Sequence, residues 1–145
     1  MEVTTRLATA QDLAAIRRLL DQFRQEFGYA PVEGQAPAPD GPEGAFNVLL
    51  AELDGDAVGL LALQRCHNLA QGTTFLLLSD IFVAPAARRR GVAKALMAGA
   101  KLHAAALGCQ GMSLMVSEVN MPALTTAARA GFTRHDQLLF NYSDG

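Results

Sequence analysis

Two kinds of spacing between apolar residues divide the chain into predicted helices and strands. A three- and four-residue spacing runs from Leu13 to Phe27 and predicts an amphipathic helix that ends near Gly28. A similar spacing returns from Val92 to Ala106 and predicts a second helix. Between these helices, three apolar segments are typical of strands. They span residues 46–53, 57–66 and 74–83.

Shorter apolar patterns complete the predicted order of elements. Residues 3–8 carry enough β-branched side chains for a first strand, and residues 111–117 alternate between apolar and polar positions. A short helix is predicted to start at Asn120 and end at Gly131, before a last strand at 138–142. The order β-α-β-β-β-α-β-α-β predicts an α/β (α+β) fold in which a mixed sheet carries helices on its faces.

Composition and charge restrict the class of protein. Half of the 145 residues are hydrophobic and 18% are charged, which is typical of one globular domain, and we assign residues 1–145 to it. The formal net charge of −2 disfavours general nucleic-acid binding, and no apolar run is long enough to span a membrane. Cys66 and Cys109 are far apart and the N-terminal residues lack a signal-peptide pattern, so we expect a reduced, cytoplasmic protein without a metal site.

A basic turn lies where the third of these apolar strands meets the second helix. Pro85 ends the strand because it lacks an amide donor, and Arg88-Arg89-Arg90-Gly91 stands before the helix. The first turn of a helix has amide groups without intrahelical acceptors and a partial positive charge, so this junction predicts an anion site suited to phosphate. Gly91 lets a ligand approach the backbone closely. The alternative is a solvated basic patch.

The spacing within this turn resembles that of a known family. It fits neither G-x-x-x-x-G-K-[ST] nor G-x-G-x-x-G. Arg88-x-x-Gly91-x-Ala93 resembles the R/Q-x-x-G-x-G/A signature of the GNAT acetyltransferase superfamily, and residues 80–85 (D-I-F-V-A-P) are similar to the strand that leads into that loop. Residues 117–132 are similar to the N-x-x-A…G-F segment of the family. The predicted order of elements extends the resemblance over the whole chain.

The resemblance implies a mostly antiparallel sheet in which two neighbouring parallel strands, 74–83 and 111–117, splay apart around the cosubstrate acetyl-CoA. The expected cofactor-binding residues are Ile81, Phe82, Val83, Arg88, Arg89, Arg90, Gly91, Val92, Ala93, Lys94 and Asn120. The first three of these would pair with the pantetheine arm, and Asn120 would lie near the thioester. The others would hold the pyrophosphate through side chains and backbone amides.

The resemblance also implies direct transfer to an amine, with an acid that protonates the leaving thiolate. The family commonly has a Tyr seven residues after the Asn, where this sequence has Ala127. Tyr142 is our candidate for the acid, with Tyr29, Cys109 and a water molecule as alternatives.

Asp80 is the candidate catalytic base. Strand alternation places it on the same face as Leu76, Leu78 and Phe82, and a carboxylate among such neighbours suits proton abstraction from an ammonium group. The alternative role for Asp80 is a hydrogen bond to a loop or a helix cap. Glu118, at the end of the next predicted strand, is the second candidate for the base.

We therefore expect an acetyl-CoA-dependent N-acetyltransferase that acts on a primary amine of a small molecule, an amino acid or a peptide. The alternative is a non-catalytic acyl-CoA-binding module or sensor, since Ala127 replaces the usual Tyr. A structural domain with an incidental basic turn is a third interpretation. The expected partner is a small-molecule or peptide amine, with no nucleic acid and no membrane, and a homodimer is left open.

Residues 28–45 have a composition that no regular element tolerates. They contain four of the six prolines and four of the 13 glycines. Loops of this length inside a compact domain are commonly functional or disordered. We consider two interpretations of this segment, a mobile cover over the acceptor site and a plain flexible connector.

Overall fold

Five strands lie side by side in chain order in one sheet, in a computed structural model that describes residues 2–34, 37–135 and 137–143. The elements are β1 (Thr4–Leu7), α1 (Leu13–Phe27), β2 (Phe46–Leu53), β3 (Asp56–Asn68), β4 (Thr73–Val83), α2 (Val92–Ala106), β5 (Gly111–Leu114) and α3 (Met121–Arg129). Strands β1 to β4 pair antiparallel, and β4 pairs parallel with β5. The predicted mixed, mostly antiparallel sheet is confirmed. Within the described ranges, no helix is both long enough and apolar enough to cross a membrane.

A network of polar and charged side chains fixes the entry into α1. The Thr9 hydroxyl accepts a hydrogen bond from the Gln11 amide at 3.3 Å, and the Asp12 carboxylate accepts one from the Thr9 amide at 2.8 Å. Arg6 donates two hydrogen bonds to the same carboxylate, each at 2.8 Å, and a third to Glu52 at 2.9 Å. These bonds from Arg6 hold the pKa of Asp12 well below its usual range. The network ties β1, α1 and β2 together.

The sheet separates two apolar clusters, so helices cover both of its faces. Neighbouring residues of β2 point in opposite directions, and Leu49 belongs to one cluster while Leu50 belongs to the other. On the first face, α1 buries Ile16 and Leu19 against β2, β3 and β4. On the second face, α2 and α3 cover a larger cluster. Its fully buried leucines are Leu61, Leu63, Leu76, Leu78 and Leu96.

A β-bulge in β4 reverses the alternation near the end of that strand. The register between β3 and β4 shifts between Leu60 and Ala62, where β4 contains one residue more than β3. Asp80 lies in this bulge with a φ of 51°, a backbone conformation that Asp tolerates better than most residues. After the bulge, Ile81 joins the cluster on the α2 face and Phe82 joins the cluster on the α1 face.

The prediction that Asp80 shares a face with Leu76, Leu78 and Phe82 is therefore wrong. Leu76 and Leu78 pack in the cluster on the α2 face, Phe82 packs in the cluster on the α1 face, and Asp80 is exposed. Simple alternation fails here because the extra residue shifts every later side chain to the opposite face.

Pairing between β4 and β5 stops where the bulge begins. Their pairing runs from Phe75 to Leu78 of β4, and the Met115 amide then donates to the Leu78 carbonyl at 2.9 Å. β5 ends at Leu114, which is earlier than the predicted 111–117, whereas β4 continues to Val83. One edge of β4 is therefore unpaired beyond Leu78 among the described residues, and the splay implied by the family resemblance stays a prediction.

The predicted last strand at 138–142 is wrong. Residues 137–143 form no strand, and the side chains of Leu138, Phe140 and Tyr142 are 80%, 86% and 89% exposed. Apolar and aromatic composition favours a strand only where a neighbouring strand supplies a partner edge. The order of elements in the described residues therefore ends at α3.

We expect Gly59→Ala to destabilise the fold, because α2 packs directly on this glycine. A Cβ at this position would lie 2.9 Å from Val92 Cγ1 and 3.2 Å from the Phe82 carbonyl oxygen. Overpacking of this kind costs about 1–3 kcal/mol, so thermal unfolding should show a Tm lower by about 3–10 °C. Gly111→Ala is the control in a strand, since its Cβ would meet no heavy atom within 4 Å. Equal Tm values for the two variants would contradict the close packing of α2.

Candidate active site

The turn between β4 and α2 presents a helix N-terminus to open space. Gly91 caps α2 with a φ of 79°, and a Cβ on it would meet no heavy atom within 4 Å. The Ala95 amide donates to the Gly91 carbonyl at 3.0 Å, which is the first bond of the helix. The amides that precede Ala95 in the first turn have no acceptor within the helix. The junction therefore has the geometry of an anion site.

A groove of about 840 Å³ runs from this turn between β4, α2 and α3. Ten of the eleven predicted cofactor-binding residues line the groove. They are Ile81, Phe82, Val83, Arg88, Arg89, Gly91, Val92, Ala93, Lys94 and Asn120. Arg90 is the exception, since it is exposed and is not a lining residue.

The groove is strongly basic. Its charged lining residues are Arg88, Arg89, Lys94, Lys101 and Arg129, and no acidic residue lines it among the described residues. Two of these, Lys101 and Arg129, were not among the residues predicted from the sequence. Lys101 could have been found, because Lys94 and Lys101 are seven residues apart and so lie on one side of α2, two turns from each other.

Arg88 differs from the other basic residues because its guanidinium is already bound. It donates one hydrogen bond to the Val83 carbonyl at 3.1 Å and another to Glu26 at 2.6 Å. The guanidinium carbon also lies 5.7 Å from the centre of the Phe82 ring. Arg88 therefore connects the end of α1 to the end of β4. Arg89, which precedes α2, also lines the groove, and it forms no ion pair in the described part of the chain.

Asn120 is buried at the start of α3 and lines the groove. Its side-chain oxygen accepts a hydrogen bond from the Ala123 amide at 3.2 Å. This bond caps α3. Asn120 therefore has a structural role as well as a place in the groove.

A second hollow of about 460 Å³, which we call the α1 pocket, lies on the other face of the sheet. Its lining comprises Arg17, Leu20, Phe23, Arg24, Tyr29, Ala30, Val32, Gly34, Pro37, Phe46, Val48, Leu60, Ala62, Gln64, Ser79 and Asp80. The bulge separates the two hollows, since Asp80 lines the α1 pocket and the next residue, Ile81, lines the groove. The Phe23 ring of the pocket lies 5.4 Å from the Phe82 ring of the groove. The two hollows therefore come close together at this pair of rings.

Asp80 is the acidic residue of the α1 pocket. No other Asp and no Glu lines the pocket among the described residues. The Asp80 carboxylate is exposed and forms no ion pair within the described ranges, in contrast to the apolar surroundings expected from the sequence. Glu118, the other candidate base, pairs with Arg134 at 3.0 Å and lines neither hollow. The structure thus brings Asp80, and not Glu118, to the junction of the two hollows.

Among the acid candidates in the described chain, Tyr29 alone lines one of the two hollows. It is half exposed, and its ring stacks on Phe23 with 5.9 Å between the ring centroids. Tyr142 lies in the exposed segment after α3 and lines neither hollow. Cys109 follows the C-terminus of α2, where burial raises the pKa of its thiol. Ala127 is not a lining residue.

Comparison with known proteins relates this geometry to one family. The chain matches the family described as acetyltransferase (GNAT) over residues 13–132. It is 26% identical over 136 residues to the uncharacterized N-acetyltransferase YhfO of Bacillus subtilis (strain 168), an alignment that covers 88% of this chain and 87% of that protein.

Two crystal structures show the same fold. The ribosomal-protein-alanine N-acetyltransferase from Brucella melitensis biovar Abortus 2308 superposes with a TM-score of 0.79 at 18% identity, over 99% of this chain and 100% of that one. The aminoglycoside N-acetyltransferase AAC(6')-Iy, in complex with CoA, superposes with a TM-score of 0.74 at 23% identity, over 98% of this chain and 100% of that one.

We expect Gly91→Val to weaken coenzyme A binding at least tenfold (a loss of about 1.4 kcal/mol), because the new side chain would fill the open space in front of the helix N-terminus. The measurement is a titration by isothermal calorimetry. Gly108→Val is the matched control: Gly108 has a φ of 72° and open space around it, but lies beyond the C-terminus of α2. It suffers the same backbone strain without facing the groove. Equal affinities of the two variants would rule out a site formed by the backbone at Gly91.

Proposed function

Because this chain belongs to the acetyltransferase (GNAT) family, we propose that it transfers the acetyl group of acetyl-CoA directly to a primary amine of a small molecule, an amino acid or a peptide. The juxtaposition at the β4 bulge carries this proposal: the basic groove and the α1 pocket meet across Asp80 and Ile81. A thioester on one side of the bulge and an amine on the other would be held within reach of each other.

The groove suits coenzyme A in charge and in backbone geometry. Coenzyme A carries a pyrophosphate and a further phosphate group, and the five charged residues that line the groove in the described part of the chain are all basic. The amides of the first turn of α2, with Arg89, suit the pyrophosphate. Lys94, Lys101 and Arg129 add the positive charge that the remaining phosphate needs. The complex of AAC(6')-Iy with CoA supports the same use of this fold here.

The open edge of β4 suits the pantetheine arm. Beyond Leu78, β4 has no pairing with β5 among the described residues, although it continues to Val83. Backbone N–H and C=O groups at such an edge can pair with the amide groups of an extended ligand, as they would with another strand. Residues 81–83 lie on this part of β4 and line the groove, which supports the role expected of them.

Asp80 is our candidate for the group that receives a proton from the amine. A protonated amine is no nucleophile, and a carboxylate at the entrance to the reacting centre can both attract the ammonium and accept its proton. The free amine then attacks the acetyl carbonyl, a C–N bond forms and the C–S bond breaks. Of the two protons that the nitrogen loses, one reaches the leaving thiolate and the other reaches solvent.

None of the side chains considered above as the acid that protonates the thiolate lines the groove among the described residues. Ala127 and Tyr142 do not line it, and Tyr29 lines the α1 pocket instead. We propose that water, or Tyr29 by way of water, supplies this proton. The same shortage favours the second candidate function, a module that binds acyl-CoA without turning it over.

Three further expectations stay predictions. Residues 29, 30, 32, 34 and 37 line the α1 pocket, which supports a covering role for the 28–45 loop. The end of that loop is held in place, since the Phe46 amide donates to the Asp40 carboxylate at 2.9 Å. The cytoplasmic location is the second, and the possibility of a homodimer, left open above, is the third.

We expect purified protein with acetyl-CoA and a panel of primary amines to release free CoA thiol faster than with acetyl-CoA alone. A thiol-reactive dye measures the release, and mass spectrometry identifies the acetylated amine. If acetyl-CoA raises the Tm by mass action but no amine yields thiol, the binding module is the correct interpretation. If acetyl-CoA leaves the Tm unchanged, the role assigned to the groove is wrong.

We expect Asp80→Asn to lower kcat/KM by about 10²–10⁴-fold, because a positioned base typically contributes that much. Acetyl-CoA affinity should stay within a few-fold. Asp54→Asn is the matched control, since Asp54 is also exposed and has a φ of 53° but lies in the β2–β3 turn. Wild-type turnover by Asp80→Asn between about pH 6 and pH 9 would exclude Asp80 as the base.

A further inference from the structure

The α1 pocket carries a charge pattern that restricts its ligand. Its charged lining residues, among those described, are Arg17, Arg24 and Asp80. One carboxylate can pair with one ammonium group. Any second cationic group of a ligand would face two guanidinium groups, and like charges at close range disfavour binding. The pocket therefore suits a ligand with a single positive charge.

The two arginines are available to bind an anionic group. Arg17, Leu20 and Arg24 are three and four residues apart, so they lie on one side of α1. Arg17 forms no ion pair within the described ranges, and Arg24 reaches only Asp21, at 3.4 Å, whose side chain is 58% exposed. A long pair in which the carboxylate is largely exposed contributes little. Arg24 can therefore exchange Asp21 for a ligand carboxylate at small cost.

The rest of the pocket is apolar and partly aromatic. Leu20, Phe23, Val48 and Leu60 line it, together with the Tyr29 ring that stacks on Phe23. A volume of about 460 Å³ is that of a site for a small molecule. Such walls favour a ligand with an apolar or aromatic group, because burying that group removes apolar surface from water.

We propose that the acceptor is a free amino acid with an apolar or aromatic side chain. This inference rests on the proposed function and names its substrate class. The ammonium group of the amino acid lies at Asp80, its side chain lies among the apolar residues around Phe23, and its carboxylate faces Arg17 and Arg24. The products are the N-acetyl amino acid and CoA, with the protons distributed as described above.

The same charges argue against a polycationic acceptor. The fold is shared with aminoglycoside N-acetyltransferases, yet an aminoglycoside with several ammonium groups would find one carboxylate and two arginines in this pocket. The α1 pocket therefore lacks, among the described residues, the several negative charges that would suit the ammonium groups of an aminoglycoside, although the fold is shared.

The test compares kcat/KM of the full chain with acetyl-CoA for four acceptors: phenylalanine, leucine, phenylalaninamide and neamine. We expect both free amino acids to be acetylated, and phenylalaninamide, which lacks the carboxylate, to react about 10- to 100-fold less efficiently than phenylalanine. Neamine should be the poorest acceptor. The amide keeps the ring and a primary amine but lacks the carboxylate, and the arginine variants below show whether that group binds at Arg17 and Arg24.

The arginines are tested by a double-mutant cycle on the same pair of acceptors. Arg17→Gln/Arg24→Gln should lower kcat/KM for phenylalanine about 10- to 100-fold and leave that for phenylalaninamide within about threefold. Arg18→Gln is the control on the same helix, because Arg18 donates to the Ala57 carbonyl at 2.9 Å and does not line the pocket. It should keep the full difference between the two acceptors. Acetyl-CoA affinity should be the same in all three proteins.

Two results would overturn the substrate class and leave the proposed function standing: neamine as the best acceptor, or equal kcat/KM for phenylalanine and its amide in wild-type protein. An equal loss of kcat/KM for phenylalanine and phenylalaninamide in Arg17→Gln/Arg24→Gln would also overturn the substrate class. The effect of the two arginines would then not depend on the carboxylate of the acceptor. If acetyl-CoA binds but no acceptor of any charge is acetylated, the proposed function fails and the substrate class fails with it.

Discussion

The extra residue in β4, opposite the step from Leu60 to Ala62, changes the face on which each later side chain lies. It sends Phe82 to the α1 face and Ile81 to the α2 face. It also coincides with the end of pairing between β4 and β5, so the strand edge opens beside the helix N-terminus at Gly91. The groove, the α1 pocket and the position of Asp80 between them all depend on this bulge.

Arg88 holds the two sides of the site together across the end of the sheet. Its bonds to Glu26 and to the Val83 carbonyl join α1 to β4, and its guanidinium covers the Phe82 ring. A partly exposed ion pair of this kind contributes about 0–1 kcal/mol to folding. Its importance is therefore one of position, because it fixes the end of the helix that contributes Phe27 to the groove.

Local patterns in the sequence predicted most of the fold and most of the groove. Helix α1 ends at Phe27, directly before Gly28, as predicted from its apolar spacing and that glycine. The motif around Gly91 identified the family and the class of N-acetyltransferases, both confirmed by the match over residues 13–132. It also located ten of the eleven expected cofactor residues along the groove.

The errors arose where a side chain's position depends on distant parts of the chain. Alternation along one strand could not reveal a bulge that exists only in the pairing with β3, so the face of Asp80 was wrong. Strand-like composition at 138–142 could not supply a partner strand. Arg88 matched the motif, yet its partner Glu26 is 62 residues away in sequence. The roles of Asp80 and Tyr142 stay predictions.

The bulge also lies at the point in the sequence where the residues that line the α1 pocket end and nearly all of those that line the groove begin. Every described residue of the α1 pocket lies between positions 17 and 80, whereas the groove is formed by residues 81–130 and Phe27. Mutations in the first half can thus reshape the proposed acceptor pocket while the proposed cofactor site stays intact. Evolution could exchange one acceptor for another in this way without rebuilding the transfer chemistry. For the same reason, motifs in the second half of the chain identify the family and are silent about its substrate.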